Sequence, residues 1–253
     1  MRYFIFIVTV FILCYQDLSA QADSGAYLKI TYLNSDAGMP IIQHMDIIKE
    51  TQKKRVEEGE IDTWRFYQVL YSSNASHRYR FVTVEISGHL NGLQSLPFGS
   101  AGTAEERGLE NVIASAKVHS EIWNTRANVY RESLDSPSRY KNANFMRATP
   151  GRLEEYLDLE INIAAPLHQN QANNGRMDGW NFNRLVFPTG TSVAYNFITA
   201  DFYSELEQIE MGITRDLIEK VHPDMDVNEF EDFADSIRER VWSDLWELLE
   251  YVE

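Results

Sequence analysis

Apolar and polar positions alternate in part over Ala26 to Leu33, AYLKITYL, and with Tyr, Ile and Thr present this period predicts a strand. The period then lengthens. Met39, Ile42, Met45 and Ile48 recur at helical spacing after Asp36, a competent N-cap, and the run closes on a charged tail, Lys53 to Glu58, with Gly59 as the stop. Strand patterning returns over Ile61 to Tyr71 and Arg78 to Ile86, joined by a Ser/Asn turn. A loop rich in Gly, Ser and Leu, Gly88 to Gly102, leads to a second helix over Thr103 to Ala116, where Thr103 and Glu106 have capping-box spacing. His119 to Arg131 reads as a fourth strand. The order is β-α-β-β-α-β, that of a ferredoxin-like unit.

After Ser133 to Tyr140, a linker with Pro137 and three serines, the order starts again. Asn142 to Ala148 reads as a strand. Thr149 caps and Pro150 opens a helix through Leu153, Tyr156, Leu157, Ile161 and Leu167, in which Pro166 predicts a kink. Strands over Met177 to Phe187 and Ser192 to Ala200 follow, then a helix from Phe202 to Lys220, an extra helix from Asn228 to Arg238, and a last strand from Trp242 to Tyr251. The recurrence is literal. Gly59 to Glu85 and Gly175 to Asp201 align without a gap, 116 residues apart, with Trp64/Trp180, Phe66/Phe182, Tyr79/Tyr195, Phe81/Phe197 and Thr83/Thr199 among the identities. A second echo, Lys117 to Trp123 (KVHSEIW) with Arg240 to Trp246 (RVWSDLW), is spaced by 123, and the extra helix accounts for the added seven residues. This echo assigns Trp242 to Tyr251 as strand, although ELLEYV alone would pass for helix. The chain thus reads as α+β: residues 26–132 and 142–253 as two tandem ferredoxin-like repeats, joined by a linker at 133–141.

Residues 1–20 read as a secretory signal, with Arg2, an apolar run from Tyr3 to Tyr15, and Leu18-Ser19-Ala20 before Gln21. The run is short for a membrane span, so the expectation is a secreted or periplasmic protein with no membrane attachment after cleavage. The only cysteine, Cys14, falls within this segment, leaving the mature chain no disulfide, thiol nucleophile or thiolate metal site. The net charge of −15 repels phosphate backbones and speaks against nucleic-acid binding.

Two tandem units whose sheets can pack face to face resemble the dimeric α+β barrel superfamily, with the NIPSNAP-like and antibiotic-biosynthesis-monooxygenase-like domains the nearest in look. The residues that carry the resemblance are Ala165-Pro166-Leu167-His168, the Gly-x-x-x-x-Trp spacing at Gly59/Trp64 and Gly175/Trp180, and Trp-Ser-Asp-Leu-Trp at Trp242 to Trp246. The resemblance implies an intramolecular α+β barrel with ligands held between sheet and helices. The superfamily includes cofactor-free oxygenases, haem enzymes and members without assigned chemistry, so fold alone does not select a function.

His168 is the candidate base, since imidazole titrates near neutral pH; its counterpart in the first half is Gln52, which would place a single working site in the second half. The competing reading is a packed helix histidine. Trp180 and Trp64, in phase with Phe182 and Phe66, are either ring platforms for an aromatic ligand or core. Asn181 and Asn183 lie on the other phase, where the first half has Arg65 and Tyr67, and an amide there could donate to a developing oxyanion. His168 and Asn181 are therefore the candidate catalytic residues, with Trp180, Asn183, Trp64 and Tyr67 as ligand contacts. No HxH or HxxxH spacing supports a metal, and Asp224-x-Asp226-x-Asn228 reads as a helix cap rather than a calcium loop, because Glu229 stands where that loop needs Gly. No GxSxG, Walker or dinucleotide-binding motif occurs. The leading expectation is an accessory protein or one that binds a small apolar or aromatic molecule, without chemistry or a cofactor. The alternative is a cofactor-free monooxygenase or isomerase acting on an aromatic or polyketide-like compound.

Overall fold

The computed structural model describes residues 25–34, 38–76, 78–93, 108, 111, 114–115, 117–132 and 134–253; the leader read over 1–20, the Asp36 cap and most of the helix read over Thr103 to Ala116 lie outside the described residues. Eight strands form one closed barrel: β1 (Tyr27–Leu33), β2 (Thr63–Ser72), β3 (Phe81–Ser87), β4 (Lys117–Tyr130), β5 (Tyr140–Ala148), β6 (Gly179–Phe187), β7 (Phe197–Tyr203) and β8 (Arg238–Val252). Around the barrel they run β1-β3-β2-β8-β5-β7-β6-β4, and every neighbouring pair is antiparallel. Closure leaves no strand edge with unpaired backbone groups. The strands of residues 27–130 follow one another as β4-β1-β3-β2 and those of 140–252 as β8-β5-β7-β6; the β2–β8 and β4–β6 pairings join them.

Alternation divides each strand between two apolar bodies. One phase fills the barrel, where Ile30, Tyr32, Tyr67, Trp123, Phe145, Ile198 and Trp246 pack together. The other phase faces outward. Trp64, Phe66 and Phe81 meet Ile41 and Ile48 of α1 (Gly38–Gln43) and α2 (Met45–Glu57). Trp180, Phe182 and Phe197 meet Tyr156, Leu157 and Ala165 of α3 (Leu153–Asp158) and α4 (Ala165–Asn173).

Several elements differ from the sequence reading. The first helix is broken at His44, which resets its phase, so α2 buries Ile48, Gln52 and Arg55 while Ile42 is exposed. The kink expected at Pro166 takes the form of a π-helical turn, Leu159–Ala164, just before it; the wider turn accommodates a ring that has no N–H and would press on the preceding turn. The helix read from Phe202 to Lys220 shrinks to α5 (Arg215–Val221). Phe202 and Tyr203 pair instead with Lys141 and Tyr140 of β5, and a 3-10 turn, Leu206–Met211, ends on Gly212 with φ of +33°. The extra helix is α6 (Val227–Ile237), and Asp226 caps it by accepting from the backbone N–H groups of Asn228 and Glu229. The segment read as the last strand does form one, longer than expected: β8 lies between β2 and β5, where its apolar residues are needed on both faces.

Candidate functional site

The residues nominated from sequence separate onto the two faces of the barrel wall. His168, on α4, stacks on Trp180 with ring centroids 4.8 Å apart and planes 13° apart, and Trp180 stacks in turn on Phe182. His168 is 9% exposed and its Nδ1 has no hydrogen-bond partner; burial pushes its pKa down to about 3, against a smaller opposing effect of Gln171. The ring is neutral at pH 7 but too weak a base for proton abstraction near neutrality. Asn181 and Asn183 point the other way, into the barrel, where Thr125 Oγ1 donates to Asn183 Oδ1 (2.9 Å) and Asn183 Nδ2 donates to Asn181 Oδ1 (2.8 Å). The structure therefore does not bring His168 and Asn181 to one substrate: a strand separates them. Trp64 is outer core, stacked on Phe66 at 6.2 Å, while Tyr67 is interior, 5.7 Å from the ring of Trp246.

A different group of residues meets at one mouth of the barrel. A cavity of about 210 Å³ opens there, walled by Tyr32, Tyr79, Tyr195, Trp242 and His119, with Arg78 and Val118 toward the rim. Tyr32 stacks on His119 at 4.2 Å and tilts against Tyr79 at 4.7 Å. Phe145 and Trp242 meet Tyr195 edge to face, at 5.0 and 4.7 Å.

Two buried carboxylates anchor these rings. Tyr32 donates to Glu121 Oε2 (2.8 Å) and Tyr195 donates to Glu121 Oε1; Tyr79 donates to Asp244 Oδ2 (2.5 Å), whose other oxygen, Oδ1, is buried with no partner. His119 Nε2 lies 3.6 Å from Glu121 Oε1. Burial, and then the adjacent carboxylate, raises the pKa of all three phenols, so each stays protonated and donates. The pairs are crossed. Tyr79 and Tyr195 correspond at the 116-residue spacing, Glu121 and Asp244 at the 123-residue spacing, and each tyrosine bonds the carboxylate of the other half.

Sequence reasoning missed this mouth although its signal was present. KVHSEIW and RVWSDLW keep an acid at the same place in both copies, on the phase of Trp123 and Trp246, and an acid repeated on an inward phase marks a buried polar site. The rings of Tyr79 and Tyr195, taken alone, indicate only a core.

No protein-family model matches the chain, and no curated protein matches it. Solved structures do match. A protein from Lactobacillus acidophilus NCFM, provisionally named a monooxygenase, is 9% identical with TM-score 0.54 over 88% of this chain and 93% of its own. Another so named, from Fusobacterium nucleatum, is 8% identical with TM-score 0.56 over 89% and 92%. A haem-binding protein from Thermus thermophilus is 10% identical with TM-score 0.51 over 89% and 92%. At these identities the likeness establishes the fold, an α+β barrel of eight antiparallel strands.

Proposed function

We propose that this chain is an exported small-molecule-binding protein, built by duplication of a ferredoxin-like unit and closed as an internal dimeric α+β barrel. The 116-residue repeat and the matching strand orders β4-β1-β3-β2 and β8-β5-β7-β6 support the duplication, with halves at 26–132 and 142–253. The apolar run in residues 1–20 supports export.

The observation that carries the binding reading is the pair of crossed tyrosine–carboxylate bonds beneath an aromatic-walled mouth. Burying a carboxylate is costly even with a phenol donor, and groups retained at that cost cluster at functional sites; here both echoed segments keep one. A volume of about 210 Å³ is below the ~300–1,000 Å³ of drug-sized sites, so the ligand is a compound of about one ring. A haem, as the Thermus protein binds, does not fit the residues present: Trp180 covers the ring of His168, and the mouth beside His119 is too small for a porphyrin. The second reading, cofactor-free catalysis, attaches to the same mouth, because His119 beside Glu121 is placed to take a proton from a bound compound.

Native mass spectrometry of protein purified from its own source, set against the denatured mass, tests the binding reading. A retained compound that Val118→Trp displaces supports it, since that change fills the cavity from its exposed rim. An apo mass that persists after soaking in host extract refutes it.

A further inference from the structure

Three lysine or arginine side chains are buried among the described residues: Lys29, Arg55 and Lys141. The first two meet Glu85, at 3.8 and 3.2 Å. Lys141, 3% exposed, meets no carboxylate or other acceptor among the described residues, in a chain with 38 acidic side chains to choose from. Its Nζ is instead surrounded by rings, 5.0 Å from the centroid of Trp246, 5.5 Å from Phe202 and 5.9 Å from Tyr67.

The fold does not require a lysine there. Lys141 pairs across β5 with Phe202 and Trp246, and in the other half Leu28 pairs with Ile86 and Trp123, the residues that correspond by the two repeat spacings. One half thus fills the position with Leu and the other with an amine. Lys141 is four residues before Phe145 on β5, so it lies about 13 Å from the tyrosine mouth, toward the other end of the barrel. Burial, aided by the positive charge of Arg65, lowers its pKa to about 7, which leaves about half of it as free amine at neutral pH.

Arg65 adds an independent sign. One guanidinium nitrogen reaches Glu253 at 3.1 Å, but its Nε is buried without an acceptor. Tyr130 packs on Phe202 at 6.0 Å and is itself 46% exposed, so this cage borders on a partly exposed ring.

We propose that Lys141 is a nucleophilic amine that forms an imine with a small 2-oxo acid, whose carboxylate is received by Arg65. The Nζ lone pair attacks the carbonyl carbon and the carbonyl oxygen takes up one proton from nitrogen; the resulting hydroxyl takes the second nitrogen proton and leaves as water while C=N forms. Amine and carbonyl give imine and water, with no oxidant needed. The aromatic cage that holds the ammonium stabilises the protonated imine by the same cation–π attraction. Desolvation by apolar surroundings is a recognised way to activate a lysine for this step.

The test treats the folded protein at pH 7 with pyruvate and cyanoborohydride, with formaldehyde as a parallel probe, and maps the reduced adducts by peptide mass spectrometry. A surface lysine has about one part in two thousand of free amine at that pH, so the pyruvate adduct should favour Lys141 by roughly tenfold or more over any other lysine. In Arg65→Gln the pyruvate adduct at Lys141 should fall by roughly tenfold more than the formaldehyde adduct, which falls only through the smaller loss of free amine that removing the charge of Arg65 causes. Adducts spread over surface lysines with Lys141 unmodified would overturn the reactive amine. A pyruvate adduct indifferent to Arg65→Gln, or loss of both probes alike, would overturn the role of Arg65.

Discussion

His168 provides a test of how dry the core under α4 is. Its pKa falls from 6.5 to about 3 because burial disfavours the imidazolium; Gln171 raises it and the charge of Arg238 lowers it further. The folded state therefore binds fewer protons than the unfolded state throughout this interval. His168 leaves stability intact above about pH 6.5 and removes it progressively as pH falls toward 3, by about 5 kcal/mol over the full span. From pH 6.5 to 4.5 the loss is about 3 kcal/mol, a large share of the 5–15 kcal/mol typical of a folded domain. Replacement by Phe keeps an aromatic ring on Trp180 and removes the titration. Urea unfolding of wild type and His168→Phe, followed by tryptophan fluorescence from pH 7.5 to 4.5, gives a difference in which all other titrating groups cancel. The two proteins should agree within about 1 kcal/mol at pH 7.5, and the variant should be about 3 kcal/mol more stable by pH 4.5. A difference that does not change with pH would show that His168 protonates freely in the folded protein, and the closed-core account would fail.

Asp201 behaves oppositely. Burial raises its pKa from 3.8 to about 6 against the hydrogen bonds from Asn142 and Asn144, whereas its counterpart Glu85 is met by Arg55 and Lys29. Its penalty is absent below about pH 4 and complete above pH 6, so Asp201→Asn should stabilise by up to about 2 kcal/mol at pH 7.5, allowing for partial exposure, and by nothing near pH 4 in thermal melts. At the tyrosine mouth, Tyr79→Phe should lower urea-unfolding stability by about 2–3 kcal/mol, because Asp244, 0% exposed, loses its phenol donor and keeps only a long contact from Trp246; Tyr195→Phe should lose less, because Glu121 retains Tyr32. Gly92→Ala should destabilise by about 3 kcal/mol or more in the same assay, since a Cβ there would fall 1.7 Å from the carbonyl oxygen of Glu60 on a backbone already tied to Arg55.

What the sequence determined is what repeats within it. The two copies of Trp-x-Phe and Tyr-x-Phe-x-Thr set the strands and their phase, because a period of two needs no distant partner to be read. The echo of KVHSEIW in RVWSDLW assigned β8 as strand against its own helical composition. Asp226 as a cap was legible because capping uses neighbours only one turn away. Tertiary structure decided which phase faced which body. It placed Asn181 in the barrel and His168 outside it, and alternation along a strand gives two faces without saying what covers either. It decided that Phe202 and Tyr203 extend β7, because their partners, Lys141 and Tyr140, lie some sixty residues earlier in the chain. It also brought Tyr79 to Asp244 and Tyr195 to Glu121, pairs 165 and 74 residues apart. A candidate site made of such pairs exists only once the barrel closes, because closure alone sets the rings of one half against the acids of the other.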